Sequence, residues 1–74
     1  MDYAKRIRSL REDKDWTQEK VAEVLRVDQK TYSDYELKKI RIPMDYLVIL
    51  AQLYDVDLNY LCGLSDKKNP FPKQ

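Results

Sequence analysis

Apolar residues recur three or four positions apart along most of this chain, a spacing that favours amphipathic helices. Residues that favour helix ends divide the pattern into five segments. We predict helices over Tyr3–Asp13, Gln18–Leu25, Gln29–Glu36, 43–54 and 58–62. The residues expected to open them are Asp2, Thr17, Asp28, Pro43 and Asp57, and Gly63 is expected just past the last helix. The pattern therefore predicts an all-α bundle of five helices.

The apolar positions of each predicted helix define its inward face. Trp16 directly precedes the Thr17 cap, where an apolar residue can pack as an anchor. Cys62 is expected to be a small buried hydrophobe. The inward residues are predicted to be Tyr3, Ile7, Leu10, Val21, Ala22, Val24, Leu25, Tyr32, Tyr35, Leu47, Leu50 or Ala51, and Tyr54.

The second and third predicted helices are joined by a turn so tight that together they indicate a helix-turn-helix. Ala22 is small enough to let the third helix cross closely over the second. If Tyr32 and Tyr35 face inward, the outer face of the third helix carries Gln29, Lys30, Ser33 and Asp34. A recognition helix presents its base-reading side chains on that face, in the major groove. The motif therefore predicts binding to double-stranded DNA.

The charge distribution is more informative than the net charge of +1. The segment 1–42 carries eleven basic and nine acidic side chains, whereas 43–66 carries four acidic ones and no basic one. Three lysines follow in the tail, at Lys67, Lys68 and Lys73. We therefore expect a helix-turn-helix domain over 1–66, which meets a polyanion through its first half, and a basic, proline-containing tail over 67–74.

The residue inventory argues against several other classes of protein. With one cysteine and no histidine, the chain offers no disulfide, no zinc site and no nucleophile–base pair, so neither a metal nor a catalytic role is expected. No Gly-rich phosphate loop or other cofactor motif is present. There is no long apolar run and no signal peptide, so we expect a cytoplasmic protein without a membrane anchor. No effector domain is evident, and no small-molecule ligand is implied.

Five blocks carry a resemblance to a known family: IRSLRE, WTQEKVAEVL, VDQKTYSDYE, IPMDYLVILAQLYDV and DLNYLCGLSD. In order and spacing they resemble the Cro/C1-type (XRE) helix-turn-helix family of lambda-repressor-like domains, over about residues 3–66. The resemblance implies a sequence-specific transcriptional regulator of a bacterium or phage. We expect a repressor that binds an operator as a homodimer, with helix three in the major groove.

The resemblance also assigns roles to individual positions. Arg11 and Glu36 match a structural pair, and Gln18 matches a residue that meets a phosphate. Gln29 could read adenine, and Lys30 could reach guanine or a phosphate, although both could also be ordinary solvated residues. The loop after helix three is expected to touch the DNA backbone. The candidate DNA-binding residues are Thr17, Gln18, Gln29, Lys30, Thr31, Ser33, Asp34, Lys38, Lys39 and Arg41.

Three positions depart from the family pattern. Arg26 and Lys38 stand where the family often has glycine in a left-handed conformation. Asp34 places a carboxylate on a surface that should face phosphates, unless a neighbouring Lys or Arg pairs with it. The alternative function is therefore a protein-interaction module of the same fold, such as an antitoxin or anti-repressor, with 43–66 as the partner surface.

For a dimer, helix five and the tail are expected to supply the contact through Tyr60, Leu64 and Phe71.

Overall fold

The computed structural model describes residues 2–72, and within that range it contains five α-helices and no strand. The helices are α1 Tyr3–Asp13, α2 Gln18–Leu25, α3 Gln29–Glu36, α4 Met44–Tyr54 and α5 Leu58–Leu61. The predicted fold class and the bounds of the first three helices are confirmed. Two predicted ends differ by one residue, since Pro43 is the N-cap of α4 and Cys62 is the C-cap of α5.

Four helices begin at a side chain that satisfies a free backbone N–H group. The residues Asp2, Thr17, Asp28 and Asp57 each accept a hydrogen bond from the amide three positions later. These contacts are local in sequence, which is why the starts of the helices could be predicted without the tertiary structure.

Two of the turns place a long basic residue in the left-handed region. Arg26 ends α2 with φ 59°, and Lys38 follows α3 with φ 58°. Both positions had been expected from the family pattern to have this conformation. The amide of Arg26 donates to the carbonyl of Glu23, and Val27 donates to Ala22, so the backbone bonds of the turn are kept without a glycine.

The core lies where the five helices meet. Its completely enclosed side chains include Ile7, Val21, Tyr32, Leu50 and Leu61. The predicted inward residues are buried, with two exceptions: Tyr3 is half-buried, and Val24 is 39% exposed. The prediction for Val24 was wrong because Val21, Ala22 and Leu25 define the buried face of α2, and Val24 lies at its edge.

Trp16 and Cys62, which lie outside the main helical pattern, also pack on the core. Trp16 is half-buried, and its ring lies against that of Tyr54 with 5.8 Å between centroids, so its predicted anchoring role is confirmed. Cys62 is buried as expected, and burial raises the pKa of its thiol.

None of the helices within residues 2–72 is long and apolar enough to cross a membrane.

The tail folds back over the turn between α4 and α5. The amide of Asp57 donates to the carbonyl of Asn69 at 2.9 Å, and the amide of Phe71 donates to the Asp55 carboxylate at 3.2 Å. The Phe71 ring is half-buried against the core. The tail is therefore held to the domain at Asn69 and Phe71, while Lys73 of the predicted basic tail lies outside the described residues.

Candidate nucleic-acid interface

A buried carboxylate fixes the orientation of α3 relative to the two preceding helices. Glu36 at the end of α3 accepts hydrogen bonds from Arg11 Nε at 2.8 Å and Arg11 Nη2 at 3.1 Å, from α1. It also accepts from Gln18 Nε2 of α2 at 3.1 Å and from the Tyr32 hydroxyl at 2.5 Å. Only 2% of the Glu36 side chain is exposed. One carboxylate thus ties together the three helices that form the helix-turn-helix surface.

The ionisation of this group follows from its surroundings. Burial alone would raise the pKa of Glu36, but the hydrogen bonds from Arg11, Tyr32 and Gln18 outweigh burial and hold the pKa below its usual value. The hydrogen bond to Glu36 raises the pKa of Arg11 further. Burial, with Glu36 beside it, also raises the pKa of Tyr32. At neutral pH the cluster is therefore a charged Arg–Glu pair with a neutral tyrosine, and the expected structural role of Arg11 and Glu36 is confirmed.

The outer face of α3 forms one side of a shallow depression of about 480 Å³. Tyr32 and Tyr35 are buried as predicted, and this leaves Gln29 and Lys30 exposed to solvent. We call the lining of this depression the reading surface. Its residues are Gln18, Gln29, Lys30, Ser33, Asp34, Leu37 and Lys39. Six of the ten sequence-predicted candidates therefore lie on one continuous surface.

Lys30 and Asp34 form an ion pair on the reading surface. Lys30 Nζ lies 3.2 Å from Asp34 Oδ2, one helical turn away. The Lys30 side chain is 82% exposed, whereas that of Asp34 is 18% exposed. The carboxylate is thus recessed beneath the ammonium group. The pairing that the sequence left open for Asp34 is present, and the partner is Lys30.

Gln18 and Thr17 lie at the N-terminus of α2, beside α3. The amide nitrogen of Gln18 donates to Glu36, which fixes the position of the side chain at the edge of the reading surface. Thr17 is exposed, and its hydroxyl accepts from the amide of Lys20. The helix N-terminus adds a partial positive charge here, which favours an anion. Thr31 is half-buried and does not line the depression.

The loop after α3 lines a second depression of about 720 Å³ that adjoins the first through Lys39. Lys38 Nζ lies 3.8 Å from the Asp2 carboxylate and 5.5 Å from the centre of the Tyr3 ring, so Lys38 is drawn toward the start of α1. Arg41 lines this second depression and is exposed. Of the three predicted loop cations, only Lys39 borders the reading surface.

Sequence reasoning missed Leu37 as a member of the reading surface. It is 57% exposed and lies one helical turn after Ser33, so it extends the outer face of α3 by one more position. The helical spacing from Ser33 was a usable signal, but the third predicted helix ends at Glu36, so Leu37 falls just outside it.

These features define a helix-turn-helix domain, and the comparisons with known proteins agree. Residues 7–61 match the family described as Helix-turn-helix, and this chain belongs to that family. The expected resemblance is thereby confirmed over most of the length for which it was predicted.

Two curated proteins of Bacillus subtilis (strain 168) are similar to this chain. One, named "Uncharacterized HTH-type transcriptional regulator YobD", is 41% identical over 68 residues, which cover 92% of this chain and 61% of that protein. The other, "HTH-type transcriptional regulator AnsR", is 31% identical over 68 residues, covering 92% of this chain and 59% of that protein. The chain spans about three fifths of the length of these relatives. No solved structure matches the chain significantly.

Proposed function

We propose that this protein is a sequence-specific transcriptional regulator that binds double-stranded DNA. The observation that carries the proposal is the reading surface, where exposed polar side chains of α3 lie beside the N-terminus of α2. Base edges in the major groove are read by projecting donors and acceptors, and phosphates are bound by cations and by the positive ends of helices. Family membership and the two relatives named as transcriptional regulators support the same function.

In the proposed complex, α3 enters the major groove. Gln29 is exposed at the start of α3 and would form hydrogen bonds to an adenine edge. Lys30 is also exposed and would donate to O6 and N7 of guanine. The N-terminus of α2, with Thr17 and Gln18, would face a phosphate, and Lys39 and Arg41 would contact the backbone on the other side. The phosphate contacts fix the orientation, and the α3 side chains supply the specificity.

We propose that the working form is a homodimer that acts as a repressor in the bacterial cytoplasm. The eight residues of α3 span only about 12 Å, enough for a few base pairs. Two copies related by a two-fold axis would read half-sites one turn apart and cover a promoter sterically.

For the proposed dimer contact at helix five and the tail, we favour Leu64 among the three residues expected there. Phe71 packs on its own core, and the Arg6 guanidinium lies 3.9 Å above the centre of the Tyr60 ring. Leu64, at 66% exposure, is the exposed member of the three. Sedimentation of Leu64→Gln, compared with the wild-type chain, tests whether Leu64 lies in the dimer contact. Unchanged self-association would exclude Leu64 from that contact.

Selection of random duplex DNA by the purified protein tests the function itself. We expect enrichment of a two-fold-symmetric site whose affinity falls steeply with salt. Gln29→Ala should lower affinity for that site by about 1–3 kcal/mol and relax the preference at one base pair. If no sequence is enriched and only weak, salt-sensitive binding remains, the protein-interaction alternative replaces this proposal.

A further inference from the structure

The charged side chains of the reading surface differ in how far they are exposed to solvent. Among its lining residues, the cations are Lys30 and Lys39, and the one anion is Asp34. Asp34 is the more buried partner of its ion pair, and its backbone is fixed because its carbonyl accepts a hydrogen bond from the amide of Lys39 at 3.0 Å. The carboxylate is therefore the more enclosed group of the pair, and the long side chain of Lys30 is the more exposed one.

A recessed carboxylate has two effects on an exposed lysine beside it. It restricts where the ammonium group can lie, because one of the three N–H donors is held toward Asp34 Oδ2. It also cancels most of the positive field that the ammonium would otherwise present to a distant phosphate. The two remaining donors still form short, directional hydrogen bonds to an acceptor in contact with them.

We propose that Asp34 is a positioning residue that makes Lys30 specific for guanine. This inference rests on the proposed function, since it concerns how the same surface chooses among DNA sequences. Guanine offers two adjacent acceptors, N7 and O6, in the major groove, which match the two donors that the ion pair leaves available. A phosphate attracts a lysine mainly through its charge, and that attraction is what Asp34 reduces.

The Asp34 carboxylate thus favours binding to the specific site over binding to random DNA. Without it, Lys30 could swing to either neighbouring phosphate and would add one more sequence-independent contact. With it, Lys30 contributes little until a guanine edge comes within hydrogen-bond distance. Asp34 acts through Lys30, because its own carboxylate is only 18% exposed beneath the lysine.

The test compares Asp34→Asn with a matched substitution elsewhere. Glu12→Gln is the control, because Glu12 also forms an i,i+4 ion pair, with Arg8 at 3.4 Å, and its loss changes the net charge equally. Binding of each variant is measured by titration on the selected site, on that site with its guanine replaced, and on random duplex, at several salt concentrations. Thermal unfolding confirms that each variant is folded.

We expect Asp34→Asn to bind random duplex several-fold more tightly and to steepen the salt dependence by about 0.9 in log–log slope, the value of one added phosphate contact. The preference for guanine at one base pair should fall about tenfold, which is 1.4 kcal/mol. Glu12→Gln should leave all three quantities unchanged. In a Lys30→Met background, Asp34→Asn should have no further effect on the guanine preference, because Asp34 then has nothing to position.

Three results would overturn the inference. An Asp34→Asn protein with unchanged guanine preference and salt slope would show that the ion pair is incidental. An equal change in Glu12→Gln would reduce the effect to net charge. A loss of preference that persists in the Lys30→Met background would make Asp34 a base contact itself. In each case the wild-type protein would still select a site, whereas a wild-type protein without any base preference would overturn the proposed function as well.

Discussion

Glu36→Gln should be among the most destabilising single substitutions in this chain. The change keeps the shape of the side chain but removes the charge that faces Arg11, and it replaces an acceptor oxygen by an NH2 group. Arg11 is only 13% exposed, so water cannot fully replace the lost partner. Removing one member of a buried ion pair costs about 3–5 kcal/mol, and we expect about 3 because Arg11 Nη1 keeps its hydrogen bond to the carbonyl of Trp16.

That loss is large for a domain of this size. A chain of 74 residues is expected to have a free energy of unfolding of about 4–11 kcal/mol. A loss of 3 kcal/mol corresponds to a fall in the melting temperature of about 12–24 °C. Far-UV circular dichroism on heating, and a urea titration at 25 °C, measure both quantities.

Two further proteins test the reasoning behind the magnitude. Glu12→Gln breaks an exposed pair and should change stability by less than about 1 kcal/mol. Arg11→Met combined with Glu36→Gln should destabilise by less than the sum of the two single substitutions, since the uncompensated guanidinium is then gone. If Glu36→Gln lowers the free energy of unfolding by less than 1 kcal/mol, Glu36 does not hold the three helices together as argued.

Three other predictions concern pH, the α2–α3 turn and DNA affinity. The folded-state pKa of Glu36 is below its ordinary value of 4.5. The ionised carboxylate therefore stabilises the folded protein fully above the unfolded-state pKa, and this stabilisation is lost as the pH falls through the folded-state pKa. Below about pH 4.5, the free energy of unfolding should therefore fall more for the wild-type protein than for Glu36→Gln. Parallel curves of the free energy of unfolding against pH for the two proteins would contradict this. Arg26→Gly should raise the free energy of unfolding by about 0.5–1 kcal/mol, measured by urea titration, because glycine removes the left-handed strain at φ 59° while adding unfolded-state entropy. Arg26→Ala should give no such gain. Lys39→Ala should weaken binding to every DNA sequence alike and reduce the salt slope by about 0.9, and an unchanged slope would remove Lys39 from the backbone contacts.

The local structure of this protein could be predicted from the sequence because its determinants are local. A cap such as Asp28 bonds to an amide three residues away, and the inward faces of the short helices follow from a spacing of three or four. The outer face of α3 followed in turn, since burial of Tyr32 and Tyr35 leaves Gln29 and Lys30 outside. Arg11 and Glu36 were paired by resemblance to the family rather than by any pattern in their own neighbourhood.

Contacts between distant parts of the chain were decided only by the tertiary structure. Glu36 collects donors from residues 25 and 18 positions earlier, and no periodicity encodes which of them reach it. The tail is predicted to offer Phe71 to a second copy, and the structure adds that Phe71 is half-buried against the core of its own chain. Lys38 and Lys39 are adjacent in sequence, but the left-handed backbone at Lys38 directs one toward α1 and leaves the other beside α3.

The physical reason is the range over which each interaction acts. Helix propensity, capping and hydrophobic periodicity depend on neighbours within about one turn, so they determined the five elements and the exposed face of α3. Ion pairing and packing depend on distance through space. Lys30 and Asp34 lie one helical turn apart, so their pairing at 3.2 Å was open to prediction from the sequence, whereas the recessed position of the Asp34 side chain depends on how α3 packs in the fold.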